Sequence, residues 1–268
     1  MTGRGRGSRR SRLRLDRYEL WSLAILGGAL LLSGALDADV DPPVAPVAQA
    51  APSIQPVPIL PAMDYRYAVS WGGMDVGQMQ VSLKPGDQKD CYRYEAISHP
   101  SALAAMLYGS PNETSLFCVK DGAIRSQHFE SVLPSDDQQS YKLDFDWDRH
   151  SVASSKGPAR DIPADAIDSF ALQQAVRLWV VAHVHDASPP IAEFTMVDRK
   201  NLTHYQFRLA GQEPVQTPAG QFQAVRLERI DNPQKVGRFW LAPTKNYMPV
   251  VIETKNGGKP TVRMELVS

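Results

Sequence analysis

Apolar and polar residues alternate along most of this chain. Tyr65, Tyr67, Val69 and Trp71 recur at period two, as do Met79, Val81 and Leu83, and then Tyr141, Leu143, Phe145 and Trp147. Tyr205, Phe207 and Leu209 repeat the pattern, and so do Val262, Met264 and Leu266. Period two puts one face of a strand in the core and the other in water, which is the mark of antiparallel sheet. Turn residues separate the runs. Gly72-Gly73 predicts a tight hairpin, and Pro85-Gly86-Asp87, Lys120-Asp121-Gly122, Pro218-Ala219-Gly220 and Asn256-Gly257-Gly258 predict further turns. About a dozen strands follow, in the size range of a single β domain. Two segments break the rhythm. Ser101 to Leu107 predicts a short helix. Asp165 to His183 predicts a long one, capped by Asp165 or Asp168, with Leu172, Val176, Trp179, Val180 and His183 as its apolar stripe. The expected fold is a strongly curved antiparallel sheet, an open barrel or a sandwich, with one helix packed on it.

The start of the chain has a different character. Arg4, Arg6, Arg9, Arg10, Arg12, Arg14 and Arg17 precede Leu20 to Leu36, a run without charge. As a helix it would span roughly 25 Å, just short of the ~30 Å hydrocarbon core. Positive flanks stay cytoplasmic, so everything beyond Leu36 is expected outside the inner membrane. Ser33-Gly34-Ala35 offers a cleavage site, Ala48-Gln49-Ala50 fits the small-x-small pattern but lies too far along, and Ser8-Arg9-Arg10 is a poor twin-arginine signal. A retained anchor is favoured over cleavage. Seven prolines between Asp37 and Ala62 predict a semi-rigid spacer. The expected organisation is an anchor or uncleaved signal at 1–36, a linker at 37–62 and a β domain at 63–268.

Charge narrows the partners. Residues 1–36 hold seven of the 29 Lys and Arg and two of the 29 Asp and Glu, which leaves 22 basic and 27 acidic side chains beyond them, a net of −5. A mildly acidic body argues against nucleic acid and against charge-driven docking on anionic lipid. The expected location is the cell envelope, with the β domain in the periplasm, either anchored through residues 20–36 or released by cleavage.

Cys91 and Cys118 are the two cysteines, and both fall on the exported side, where disulfides form. If Cys91–Ser98 and Asn112–Lys120 pair antiparallel around residues 99–111, opposed residues share an index sum of 209. Cys91 then faces Cys118 and Tyr92 faces Phe117, with the aromatics on one side of the sheet. The register that joins the sulfurs also segregates the faces, so a cross-strand disulfide is predicted.

Catalytic motifs are absent: no nucleophile elbow, phosphate loop, dinucleotide fingerprint or zinc-protease helix occurs. His183 and His185 at the helix end are read as dipole partners rather than metal ligands. His99, His128, His150 and His204 are read as surface or turn residues. Asp144, Asp146 and Asp148 are read as a solvated strand face, since a calcium loop would need a glycine and a terminal glutamate that they lack. No cofactor or metal is expected.

Five stretches carry a family resemblance: Tyr67-Ala-Val-Ser-Trp-Gly-Gly-Met-Asp-Val-Gly77, Asp144 to Trp147, Val197 to Tyr205, Thr217-Pro-Ala-Gly-Gln-Phe222, and Trp240-Leu-Ala-Pro-Thr-Lys-Asn-Tyr-Met-Pro-Val250. Together they make residues 64–268 resemble the bacterial exported family called domain of unknown function 3108. The resemblance implies an exported antiparallel β-fold and supplies no catalytic residues. The long proline spacer and arginine-heavy start depart from the family pattern.

The expected function is therefore non-catalytic: an envelope protein binding a lipid or other apolar ligand on its curved sheet. The candidate lining is Tyr67, Trp71, Met79, Phe145, Trp147, Trp179, Phe207 and Met264, with simple core filling as the alternative role for these residues. An envelope assembly factor acting by protein contact, and a hydrolase with carboxylates gathered by folding, are the alternatives.

Overall fold

The computed structural model describes residues 60–268, so the arginine-rich segment, the apolar run and most of the spacer lie outside the described residues. Among those described, no helix is long and apolar enough to cross a membrane. The folded body already includes Leu60, whose side chain is buried and whose N–H donates to Tyr92 Oη at 3.2 Å.

Fifteen strands form one sheet, three more than the dozen expected. In chain order β1 is Met63–Trp71, β2 Met74–Pro85, β3 Cys91–Pro100, β4 Asn112–Lys120, β5 Ala123–Val132, β6 Tyr141–Asp146, β7 Ser151–Ser154, β8 Gly157–Asp161 and β9 Ala166–Ile167. The second half comprises β10 Ala192–Val197, β11 Leu202–Thr217, β12 Gly220–Arg229, β13 Lys235–Ala242, β14 Met248–Asn256 and β15 Val262–Leu266. Helix α1, Ala102–Tyr108, lies between β3 and β4, and helix α2, Ser169–His183, between β9 and β10. The spatial order is β8-β7-β6-β5-β4-β3-β2-β1-β15-β14-β13-β12-β11-β10-β9. It is two meanders joined where the last strand, β15, pairs with the first.

Hairpin chemistry explains most connections. Gly72 and Gly73, at φ 58° and 84°, form the two-residue loop that opposes Trp71 and Met74. That left-handed pair matches strand twist in a primed turn. Gly77, at φ 129°, sits where β2 passes the end of β3; a Cβ there would lie 2.4 Å from the His99 carbonyl oxygen. Side chains cannot occupy that gap, so the bulge between Val69 and Ser70 beside it depends on glycine.

The sheet curls until its ends meet, and it is not hydrogen-bonded shut: β8 and β9 each have one ladder partner. The gap is bridged by a side chain instead. Arg160 on β8 donates to the main-chain oxygens of Asp198 and Arg199 in the β10–β11 turn. The pairing of β9 with β10 is parallel, an exception to the antiparallel expectation. The chain leaves β8, runs beside β10 for two residues and then turns inward as α2.

Helix α2 therefore starts at Ser169, four residues later than Asp165, and Asp168 is its N-cap. The competing cap is recruited elsewhere, because Asp165 accepts a hydrogen bond from Thr195. The predicted stripe is half right. Leu172, Val176 and Val180 are buried, while Trp179 and His183 are partly exposed. Phe170, Gln174 and Arg177 complete the buried face. Phe170 packs its ring 4.7 Å from Tyr94 on β3 and 5.9 Å from Phe129 on β5. The short helix α1 is capped by Ser101 and leaves Leu103 and Met106 exposed.

Cys91 is bonded to Cys118 in the predicted register, with Tyr92 opposite Phe117 and Arg93 opposite Leu116. Tyr92 and Phe117 stack with centroids 5.7 Å apart on the inner face. The bridge spans 27 residues of chain. In the chain-entropy model a loop of that length is worth about 3.5 kcal/mol. Replacing both cysteines by serine is expected to lower unfolding stability by about 3 kcal/mol in urea titration; a loss under about 0.5 kcal/mol would show that the bridge does not constrain this fold.

Candidate functional site

Inward residues from distant strands converge on α2. Tyr67, Met79, Phe207 and Met264, four of the eight expected lining residues, are fully buried there. Tyr67 donates its hydroxyl to the Pro249 carbonyl at 2.7 Å, and Tyr94 to Gln173 Oε1 at 3.1 Å. Burial raises both phenol pKa values. The other four, Trp71, Phe145, Trp147 and Trp179, are partly buried and pack against the margin of the core. Among the described residues, two small voids border the helix. One of about 10 Å³ touches Tyr67, Met79, Tyr94 and Met264. The other, about 30 Å³, touches Val176, Phe207 and Leu227. Ligand pockets measure roughly 300–1,000 Å³, whereas a single water needs at least ~10–15 Å³. Neither of these two voids has room for a ligand.

Polar groups hold α2 at both ends. Asp168 Oδ1 caps the helix, accepting from the amides of Phe170 at 2.9 Å and Ala171 at 3.0 Å. Its Oδ2 accepts from Ser115 Oγ at 2.9 Å and Ser126 Oγ at 2.6 Å. Burial raises the Asp168 pKa and these four bonds oppose the rise. Near it, Glu113 on β4 also points inward and is pushed up to about 7, chiefly by burial. The Ser131 hydroxyl offsets part of that rise, although it lacks a well-formed hydrogen bond, and the Asp168 charge adds to it. Toward the far end of the helix, Arg177 Nε donates to the Asn246 carbonyl at 2.6 Å and Nη1 to Gln174 Oε1 at 3.0 Å.

A roomier site lies at the rim. A cleft of about 710 Å³ is built from four separate segments: Pro163 and Asp165 before β9, Glu193 to Thr195 on β10, Thr203 to Gln206 on β11, and Arg229 to Lys235 around the β12–β13 turn. Four consecutive β11 residues line it, from both faces of the strand, as a rim requires. Its side chains are tied to one another. Thr195 Oγ1 donates to Asp165 Oδ2 at 2.9 Å, so it accepts from His204 Nδ1 at 3.1 Å. That assigns the proton to Nδ1 and leaves His204 Nε2 as an acceptor. Gln206 donates to Glu193 at 2.6 Å. Arg229 forms a two-pronged ion pair with Asp231, at 2.7 and 2.6 Å, while its guanidinium covers the Tyr205 ring at 4.1 Å. Burial and the Arg229 charge lower the Lys235 pKa. Three carboxylates and two cations leave the lining close to neutral, with donors and acceptors mixed.

The other sequence candidates stand apart. His183 Nδ1 bonds Asp186 at 2.7 Å at the helix end, and His128 Nδ1 bonds Asp144 at 2.6 Å on the outer face. Asp146 accepts from the Arg149 amide in the turn after β6. Among the described residues no cluster of three His, Cys, Asp or Glu is placed to hold a metal. His204, expected at the surface or in a turn, is exposed and lies on β11 at the edge of the cleft.

A curled antiparallel sheet wound around one internal helix, with a polar rim cleft, is the class this architecture defines. The chain belongs to the family described as protein of unknown function DUF3108, whose model matches residues 66–267. No curated protein matches the chain. Among solved structures, a β-barrel-like protein of domain of unknown function DUF1849 from Brucella abortus is similar at 11% identity and TM-score 0.48, over 77% of this chain and 97% of that one. A protein described as exported, with a YmcC-like fold, from Bacteroides fragilis is similar at 12% identity and TM-score 0.35, over 76% of this chain and 93% of the other. One described as a lipoprotein, from Parabacteroides distasonis, stands at 10% identity and TM-score 0.35 over the same shares. Likenesses at these TM-scores decide neither fold nor function.

Glu113 makes stability depend on pH. Its folded pKa, about 7, exceeds the ordinary 4.5, so the fold favours the protonated form. That contribution is complete below about pH 4.5 and is lost as pH rises through 7. Glu113→Gln keeps the shape and cannot ionise. Urea unfolding is expected to show the variant more stable than the parent at pH 8, by up to about 3 kcal/mol, with the difference closing toward pH 4.5. A pH-independent difference would contradict the assignment.

Proposed function

We propose that this protein is a non-catalytic binding module of the cell envelope and that it holds a small polar ligand in the rim cleft. The observation that carries the proposal is the contrast in space: about 710 Å³ at the rim against about 10 and 30 Å³ on the concave face. The cleft falls within the usual range of ligand sites. Its polar groups are fixed by mutual hydrogen bonds before any ligand arrives, which lowers the entropic cost of binding. A lipid or other apolar ligand on the concave face, the expectation from the inward aromatics, would require α2 to leave its seat. The three cleft carboxylates are each engaged by a neighbour, which favours a binding role over a general acid and base pair.

An envelope location is supported by the disulfide, which persists in oxidising compartments. The arginine-flanked apolar run supports tethering to the inner membrane through residues 20–36, with the spacer holding the body away from the bilayer.

A thermal-shift screen of soluble polar metabolites and fatty acids tests the proposal. At least one polar compound is expected to stabilise the parent, and to lose at least about tenfold in affinity with Glu193→Gln or Lys235→Met. Stabilisation by fatty acids alone, indifferent to both substitutions, would move the site to the concave face and overturn the proposal.

A further inference from the structure

Arg177 is buried at 4% exposure, yet among the described residues no carboxylate lies within ion-pair distance of it. Its two hydrogen bonds go to neutral oxygens, the Asn246 carbonyl and the Gln174 amide. The groups whose charge bears on it are the hydroxyls of Tyr65, Tyr94 and Tyr67, all neutral at physiological pH. Buried charges are ordinarily paired, because an isolated ion loses its hydration without return. Two bonds use two of the five guanidinium N–H donors, leaving three. No Arg177 nitrogen is both sealed from solvent and partnerless, so its unbonded nitrogen, Nη2, keeps slight solvent access.

Phenol hydroxyls surround the guanidinium. Tyr67 and Tyr94 have committed their hydroxyls, to Pro249 and Gln173. Tyr65 is half-buried, and its hydroxyl has no hydrogen-bond partner among the described residues. Lys245, the neighbour of Asn246 in the chain, holds its ammonium 5.4 Å from the centre of the Tyr65 ring and makes no ion pair among the described residues. The Arg177 guanidinium and the Tyr65 phenol thus interact, the Lys245 ammonium lies over the same phenol ring, and none of the three lines the rim cleft.

We propose that Arg177, Tyr65 and Lys245 form a receptor for an anionic head group, a phosphate or a carboxylate. The guanidinium fork engages two anion oxygens at once, the geometry for which arginine is suited. Tyr65 donates a third hydrogen bond and Lys245 supplies charge. The anion completes the pairing that the chain itself leaves open. Gln173, one helical turn before Arg177, borders both apolar voids.

Calorimetric titration of the full chain, held in nanodiscs of uncharged lipid, with inorganic phosphate and separately with hexyl phosphate tests the receptor. At least one probe is expected to bind saturably. Arg177→Met removes both charge-assisted hydrogen bonds of the fork and is expected to weaken binding at least about tenfold. Because Arg177→Met can also unseat α2, the half-buried pair Tyr65→Phe with Lys245→Met provides an independent arm, expected to weaken binding at least about threefold. Equal affinity for the two probes identifies a free anion, and tighter hexyl phosphate identifies the head of an amphiphile; both support the receptor. Failure of both probes to bind, or unchanged affinity in the Tyr65 and Lys245 double variant, overturns it. None of the three substituted residues lines the cleft, so loss of the cleft function leaves this result readable.

Discussion

Everything else in the structure depends on the seating of α2 inside the sheet. A fifteen-stranded sheet with no closing ladder has nothing in its backbone hydrogen bonding to hold its ends together. The helix supplies the common inner surface. Phe170 packs against rings from β3 and β5, and Val176 and Val180 are buried with it. Polar contacts fix where along its axis the helix rests. Asp168 receives two amides and two serine hydroxyls at one end, while Arg177 reaches the Asn246 carbonyl toward the other. Apolar packing alone tolerates sliding; directional bonds to buried groups do not.

The strands were legible because one face of each is buried. Tyr67 and Val69, Met79 and Val81, and Val262 and Met264 all fall on the inner face, as period two requires. The same alternation fixed the register of β3 against β4, and with it the disulfide. The start of α2 was ambiguous because Asp165 and Asp168 are equally good caps. Ser115 and Ser126, more than forty residues earlier, choose between them, and no local pattern contains that choice. Glu113 had a visible signal, since it shares a strand face with Ser115, Phe117 and Val119, all buried. The rim cleft had none. Its residues come from four segments spread between Pro163 and Lys235, joined only by the curl of the sheet.

The stretches that carry the family resemblance prove to be devices of the fold. Trp240 to Val250 contains the turn in which Asn246 and Tyr247 adopt left-handed backbone, at φ 52° and 57°, and Asn246 offers its carbonyl to Arg177. Thr217 braces the β11–β12 turn by accepting from the Ala219 amide at 3.2 Å. Val197 to Tyr205 holds the turn that Arg160 clasps across the gap in the sheet, and then delivers His204 and Tyr205 to the cleft.

Native-state hydrogen exchange of the α2 amides reports on that seating most directly. If the helix is pinned at both ends within a filled barrel, its central amides, Leu172 to Val180, exchange only through global unfolding. They then share the free energy of opening of β1 and β14. Exchange of those amides through a separate, lower-energy opening, while the strands stay protected, would mean that the helix leaves its seat on its own, and the account of a closed interior would be wrong.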